Sequence, residues 1–187
     1  LTDLDAVTAA AAAGDARALE TIYRALAPVV RGYLAVRGSR DPDGMTNEVF
    51  LQVVPRIRAV HGGWEGLRTL TFSVAHARLV DEHRQRARRP DTTAYEQGAD
   101  GRTAPSAEQS ALERVAAGEL AEVLELLPDQ QREVIVLRVL ADLSVRQTAE
   151  TLGLSEPAVK KMQAKGLAAL RALLSPLALV DDRQQGR

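Results

Sequence analysis

The chain has 187 residues, of which 45% are hydrophobic and only 3% aromatic, and it carries a net charge of −1. Abundant Ala and Leu favour helices over the Val/Ile/Tyr-rich strands of a sheet protein, so the expected fold class is all-α. With no cysteine and three histidines, disulfides and thiolate metal sites are excluded, and neither a cofactor nor a metal is expected.

In chain order, periodicity predicts a first short helix over 3–13 ending at Gly14. Its Ala run at 9–13 is no secretion signal, because it lacks a basic flank and is bracketed by Asp3, Asp5 and Asp15. No run reaches the ~20 apolar residues of a membrane span, so a cytoplasmic location and no membrane partner are expected. The sequence opens on Leu1, and the natural start is expected upstream.

A second helix over 15–36 is capped by Asp15, bent at Pro28 and stopped by Gly38. A third covers 43–59, with Pro55 disturbing its last turn, and "HGGWEG" at 61–66 reads as a loop. A fourth over 66–88 places Leu67, Leu70, Val74, Ala77 and Val80 at alternating three- and four-residue steps, one stripe facing a core. It ends in "HRQRARRP", whose bases suit the negative end of the helix dipole.

"RPDTTAYEQGADGRTAPSAEQ", 89–109, has almost no apolar content and no period, and reads as a flexible linker. Ser106 with Gln109 forms a capping-box pattern opening a helix that runs to about Leu127, and Pro128 starts another. The expected domains are therefore 1–88 and 108–187, joined by 89–107.

Charge follows this division. Residues 1–30 net −2, 31–90 net +5, 91–134 net −7 and 135–187 net +3. Two basic blocks flanking an acidic middle fit a pair of anion-binding surfaces, nucleic acid being the usual ligand, as well as they fit solvated helix faces.

The stretch "LSVRQTAETLGLSEPAVKKMQAKGLAAL", 143–170, separates these readings. Ser144 with Gln147 caps a short helix, Gly153 supplies a left-handed turn, and Ser155 caps the next helix, with Glu156 and Pro157 in its first turn. At 100° per residue Val159, Met162, Gly166 and Leu170 share an inward face, while Lys160, Lys161, Ala164 and Lys165 point away. A basic, short-chained outer face on the second helix of a helix-turn-helix fits a DNA major groove.

The segment "LPDQQREVIVLRVLADLSVRQTAETLGLSEPAVKKMQAKGLAALRALL" resembles region 4, the promoter-reading domain of the extracytoplasmic-function (ECF) sigma factors of bacterial RNA polymerase. "DPDGMTNEVFLQVV" is similar to that family's acidic-apolar polymerase-docking helix, and "LRTLTFSVAHARLVDEHRQRARRP" to its promoter-melting helix, in the family's order. The resemblance implies a sigma factor that binds core RNA polymerase through the beta and beta-prime subunits and recognises a two-part promoter. It allows for an anti-sigma factor as a further partner.

By residue, the resemblance assigns polymerase docking to Met45, Thr46, Asn47, Glu48, Leu51 and Gln52. It assigns the minus-10 element to Arg58, His61, Trp64, Arg68, Ser73, His76, Arg84, Arg86, Arg88 and Arg89, with His61 and Trp64 near an unstacked base. The minus-35 element falls to Arg138, Ser144, Arg146, Ser155, Pro157, Lys160, Lys161, Ala164 and Lys165. The chain departs from the family pattern at Gly44, Asn47, Val54, Pro55 and Leu70.

Enzyme readings fail on geometry. Asp81 lies five residues beyond His76, rotated about 140° from the Ser73–His76 pair, and His76 and His83 are ~10.5 Å apart along a helix. No catalytic residue is expected. The competing reading is a stand-alone helix-turn-helix regulator with an amino-terminal sensor or dimerisation module. The acidic linker, with Asp91, Glu96, Asp100 and Glu108 against Arg102, is expected to repel DNA from the free chain.

Overall fold

The computed structural model describes residues 3–88 and 122–181, with side chains to Leu174, and all regular structure among them is helical. The linker expected at 89–107 and the capping box at Ser106 lie outside the described residues, as does Arg89.

The amino-terminal domain is built from α1 (Leu4–Ala12), α2 (Ala16–Val36), α3 (Pro42–Val53), a short 3-10 helix (Val54–Ala59) and α4 (Gly63–Arg88). Carboxylates start the first three: Asp3 and Asp15 each accept two backbone N–H bonds, and Asp41 accepts the Gly44 N–H at 2.8 Å. Helix α2 runs through Pro28 unbroken, with Leu26, Ala27, Val30, Tyr33 and Leu34 on its buried face. Packing of that face outweighs the hydrogen bond that proline cannot donate.

Two expectations are corrected. The third helix tightens into 3-10 geometry from Val54, where Pro55 removes a donor. Helix α4 begins at Gly63, so four of the six residues of the expected "HGGWEG" loop form its first turn.

The carboxy-terminal domain contains a helical end at 122–125, then α5 (Asp129–Ile135) closing in a π-turn (Val136–Leu140), α6 (Val145–Leu152) and α7 (Glu156–Asp181). Its turn follows the predicted grammar. The capping box pairs Ser144 and Gln147 in both directions, at 2.6 and 3.2 Å, and Gly153 is left-handed with φ +65°. Ala149 and Val159 are buried beneath that turn with Val134.

Gly166 is packed against Ile135, where an added Cβ would stand 2.8 Å from Cγ1. Gly166→Val is therefore expected to destabilise this domain by about 1–3 kcal/mol, from overpacking alone. Thermal unfolding of the variant measures it; an unchanged midpoint would mean that α5 and α7 separate freely there.

The two domains share one apolar core. Ile22, Tyr33, Phe72 and Leu79 of the first belong to the same buried cluster as Val136, Leu137, Ala141 and Leu143 of the second. Leu140 lies across Gly32, which has no side chain to keep it away.

Candidate nucleic-acid interface

Helix α7 presents Lys160, Lys161, Ala164 and Lys165 to solvent while Val159 and Gly166 are buried on its opposite side. Ser155 caps its start, accepting the Ala158 N–H at 3.4 Å, and Pro157 is exposed in the first turn. Ser144 and Arg146 are exposed at the start of α6, with Arg146 3.8 Å from Glu150. Arg138 is different. Its guanidinium donates to Gln163 at 3.1 Å and to the Leu143 carbonyl, so it braces the turn ahead of α6 against α7.

In the amino-terminal domain, Arg58, His61, Arg84 and Arg88 are exposed, and Trp64 is half-buried against the core with one part open. Arg86 turns inward, donating to the Gly38 carbonyl and to Glu82, both at 3.1 Å. On α3, Asn47, Glu48 and Leu51 are exposed, Leu51 at 76%. Thr46 is buried and its hydroxyl donates to the Pro42 carbonyl, while Met45 is half-buried and packs on the core with part of its side chain open. Gln52 is half-buried facing Arg78.

Arg68, Ser73 and His76, all assigned to a melted strand, face the other domain. Arg68 donates to the Ala141 carbonyl, Ser73 Oγ lies 3.3 Å from Thr151 Oγ1, and His76 Nδ1 lies 2.7 Å from Glu133 Oε1. Gln147 completes the seam by donating to the Glu65 carbonyl at 3.0 Å and carboxylate at 2.8 Å. Glu133 stands in a pocket of the first domain, with Arg37 Nη2 at 3.5 Å and the Tyr33 hydroxyl 3.3 Å from the same His76 nitrogen.

The electrostatics fit a tight cluster. Burial pushes the Glu133 carboxyl up, but the His76 hydrogen bond and Arg37 charge outweigh it and hold the group below its ordinary value. Burial, reinforced by Glu133, pushes the Tyr33 phenol far up, so that it stays a neutral hydroxyl. Burial, with Arg86 and Arg37 nearby, holds His83 below its ordinary value. Glu133, Tyr33 and Arg37 were missed in the sequence because partners so distant along the chain leave no local pattern.

Among the described residues no group of three or more His, Cys, Asp or Glu is arranged to hold a metal ion, and no helix is long and apolar enough to cross a membrane.

An exposed basic helix behind a capped helix-turn-helix, joined to a second helical domain with its own basic end, defines a two-domain helical protein of the helix-turn-helix class. The family model for sigma-70 region 4 matches residues 117–170. SigD of Mycobacterium tuberculosis, an ECF RNA polymerase sigma factor, is 30% identical over 178 residues, covering 90% of this chain and 82% of that protein. BldN of Streptomyces coelicolor, another, is 28% identical over 166 residues, covering 88% and 63%. The solved structure of CnrH, in complex with the cytosolic domain of CnrY, has the same fold with a TM-score of 0.65 at 20% identity, over 92% of this chain and 97% of CnrH. The chain belongs to the ECF sigma factor family, and the expected fold class and family resemblance are both borne out.

Proposed function

We propose that this sigma factor docks on core RNA polymerase through the outer face of α3, reads a minus-35 element with α7 and opens a minus-10 element with the loop and first turns of α4. Asn47, Glu48 and Leu51 are the docking candidates, Lys160, Lys161 and Lys165 the groove and phosphate contacts, and His61 and Trp64 the base contacts. The observation carrying most weight is the outward basic face of α7, set by the Ser144–Gln147 capping box, the left-handed Gly153 turn and the Ser155 cap. Run-off transcription with core enzyme on a genomic library tests it. Transcripts sharing a two-part upstream sequence are expected; sequence-specific DNA binding without copurifying polymerase would favour a stand-alone regulator instead.

The same reading gives the seam between the domains a role. With Arg68, Ser73 and His76 turned against the second domain, the free chain cannot lay them along a DNA strand. Holoenzyme formation must part the domains, so the free protein is held closed and the polymerase-bound one is open. An anti-sigma factor would act on the same equilibrium.

Trp64→Ala separates the steps. Duplex binding by the holoenzyme is expected to stay near wild type while strand opening falls, because stacking worth ~1–3 kcal/mol per base is gained only once the duplex has melted. Since Trp64 also packs on the core, thermal unfolding is read alongside. Loss of both binding and fold would assign it to the core alone.

A further inference from the structure

Helix α1 is absorbed by neither docking nor DNA contact, yet one of its side chains reaches the base-contact loop. Asp5 Oδ1 accepts the backbone N–H of Trp64 at 2.7 Å across 59 positions of sequence. That amide is in the first turn of α4, where N–H groups have no partner in their own helix. Helix α1 does not need Asp5 for its own start, because Asp3 accepts the N–H groups of Asp5 and Ala6, both at 3.1 Å.

The chain around this bond is shaped to admit it. Gly62 and Gly63 have φ of +84° and +58°, a region that favours glycine, and a Cβ at Gly63 would overlap the Asp5 carboxylate. Gly66 in turn lies against the His61 carbonyl, so closely that a Cβ there would overlap it, and its N–H donates to the Gly62 carbonyl at 3.2 Å. His61 and Trp64 thus stand on either side of a tight turn whose helical end is tied down from outside by one carboxylate. Thr8 and Ala11 of α1 are buried and Val7 packs on the same cluster as Trp64, so the carboxylate is carried on a seated element.

We propose that Asp5 is a positioning residue for promoter opening: it caps α4 in trans and so presets His61 and Trp64 for the base that leaves the duplex. The inference rests on the reading of that loop as base-contacting. Asp5 itself touches no DNA; it acts through the Trp64 amide. A loop ordered beforehand loses less conformational freedom when the base arrives, and the gain appears in the opening step alone.

The test uses holoenzyme on a promoter found by run-off, with permanganate reactivity of unpaired thymines reporting opening and filter binding at low temperature reporting the closed complex. Asp5→Ala is expected to slow opening on the order of tenfold, with closed-complex affinity and core affinity unchanged. Asp5→Asn keeps an acceptor oxygen and is expected to restore opening. Gly63→Ala, which displaces the carboxylate from the other side, is expected to reproduce the defect, and Asp5→Ala combined with His61→Ala to be less than additive. Normal opening by Asp5→Ala where His61→Ala is impaired would overturn the positioning role while leaving the loop's role intact. Equal losses in opening, closed-complex and core affinity would make Asp5 a fold residue and overturn it too. If His61→Ala, Trp64→Ala and Asp5→Ala all open normally, the loop is not the reader and the inference fails with it.

Discussion

Glu133→Lys is expected to spring the free protein open and to raise its core-independent affinity for promoter DNA at least tenfold. The Glu133 side chain is only 14% exposed, with Arg37 at 10% and His76 at 20%, so a lysine there sets a second positive group beside the Arg37 guanidinium in a site with little water. Breaking a buried ion pair by removing one partner costs ~3–5 kcal/mol, because the other charge stays desolvated, and reversal adds repulsion. Of the other polar contacts across the seam, Gln147 to the Glu65 carboxylate and Arg68 to the Ala141 carbonyl are charge-assisted hydrogen bonds worth ~1.5–3 kcal/mol each, and the rest are weaker. Arg68 to Asp142 spans 3.5 Å with Asp142 87% exposed, which places it among pairs worth ~0–1 kcal/mol, and Ser73 to Thr151 is one neutral contact. Domain separation is read by small-angle scattering, and DNA affinity by gel shift without polymerase. Glu133→Gln, which keeps the shape and loses the charge, should fall between. A compact Glu133→Lys protein with wild-type DNA affinity would show that the apolar core holds the seam unaided.

Acid should imitate the substitution. The Glu133 carboxyl is held below its ordinary value of ~4.3 in the closed arrangement, so the stability it contributes is complete above that value and is lost as pH falls through the lowered one. Tyr33 on α2, Arg37 at its C-cap, and His76 and His83 on α4 face the group, and Tyr33 stays neutral throughout this range. The closed form is expected to loosen only as pH falls below the ordinary carboxylate range in the wild type and to lose that acid dependence in Glu133→Gln.

Local signals in this sequence were strong where they concerned single helices. Ser144 and Gln147 could be paired by reading four residues, Gly153 by its position after an amphipathic turn, and the lysine face of α7 by its angle. Each rests on interactions within a few residues, so the pattern is complete in the string. Helix α4 begins three residues early because its cap comes from Asp5, far upstream, and no local residue advertises it. Arg86 and Arg138 looked like phosphate ligands because arginine at a helix end fits either role; only the carbonyls of Gly38 and Leu143 direct them inward. The seam escaped for a related reason. Glu133 and His76 are ordinary residues of two helices far apart in sequence, and the docking that makes them partners depends on the small side of Gly32 and a π-turn that lays Leu140 against it.

Lys161→Ala with Lys165→Ala is expected to cost the holoenzyme tenfold or more in promoter binding at moderate salt, while fold and core affinity stay unchanged. Both side chains are exposed, and the face opposite them carries the packing of Val159 and Gly166, so truncation removes charge without opening the core. The manner of the loss identifies each contact. A lysine on a phosphate releases about 0.9 counterion, so removing two flattens the slope of log affinity against log salt by about 1.8 and weakens all sequences alike. A lysine on a guanine edge instead carries ~1–3 kcal/mol of discrimination, and its loss relaxes preference at one base pair with little change in slope. Residues at the start of a recognition helix reach deepest, so Lys161 is expected to show the base signature and Lys165, one turn later, the phosphate one. Affinity, slope and preference all unchanged in the double variant would remove α7 as the reader and return the minus-35 contact to Ser144 and Arg146 at the exposed start of α6.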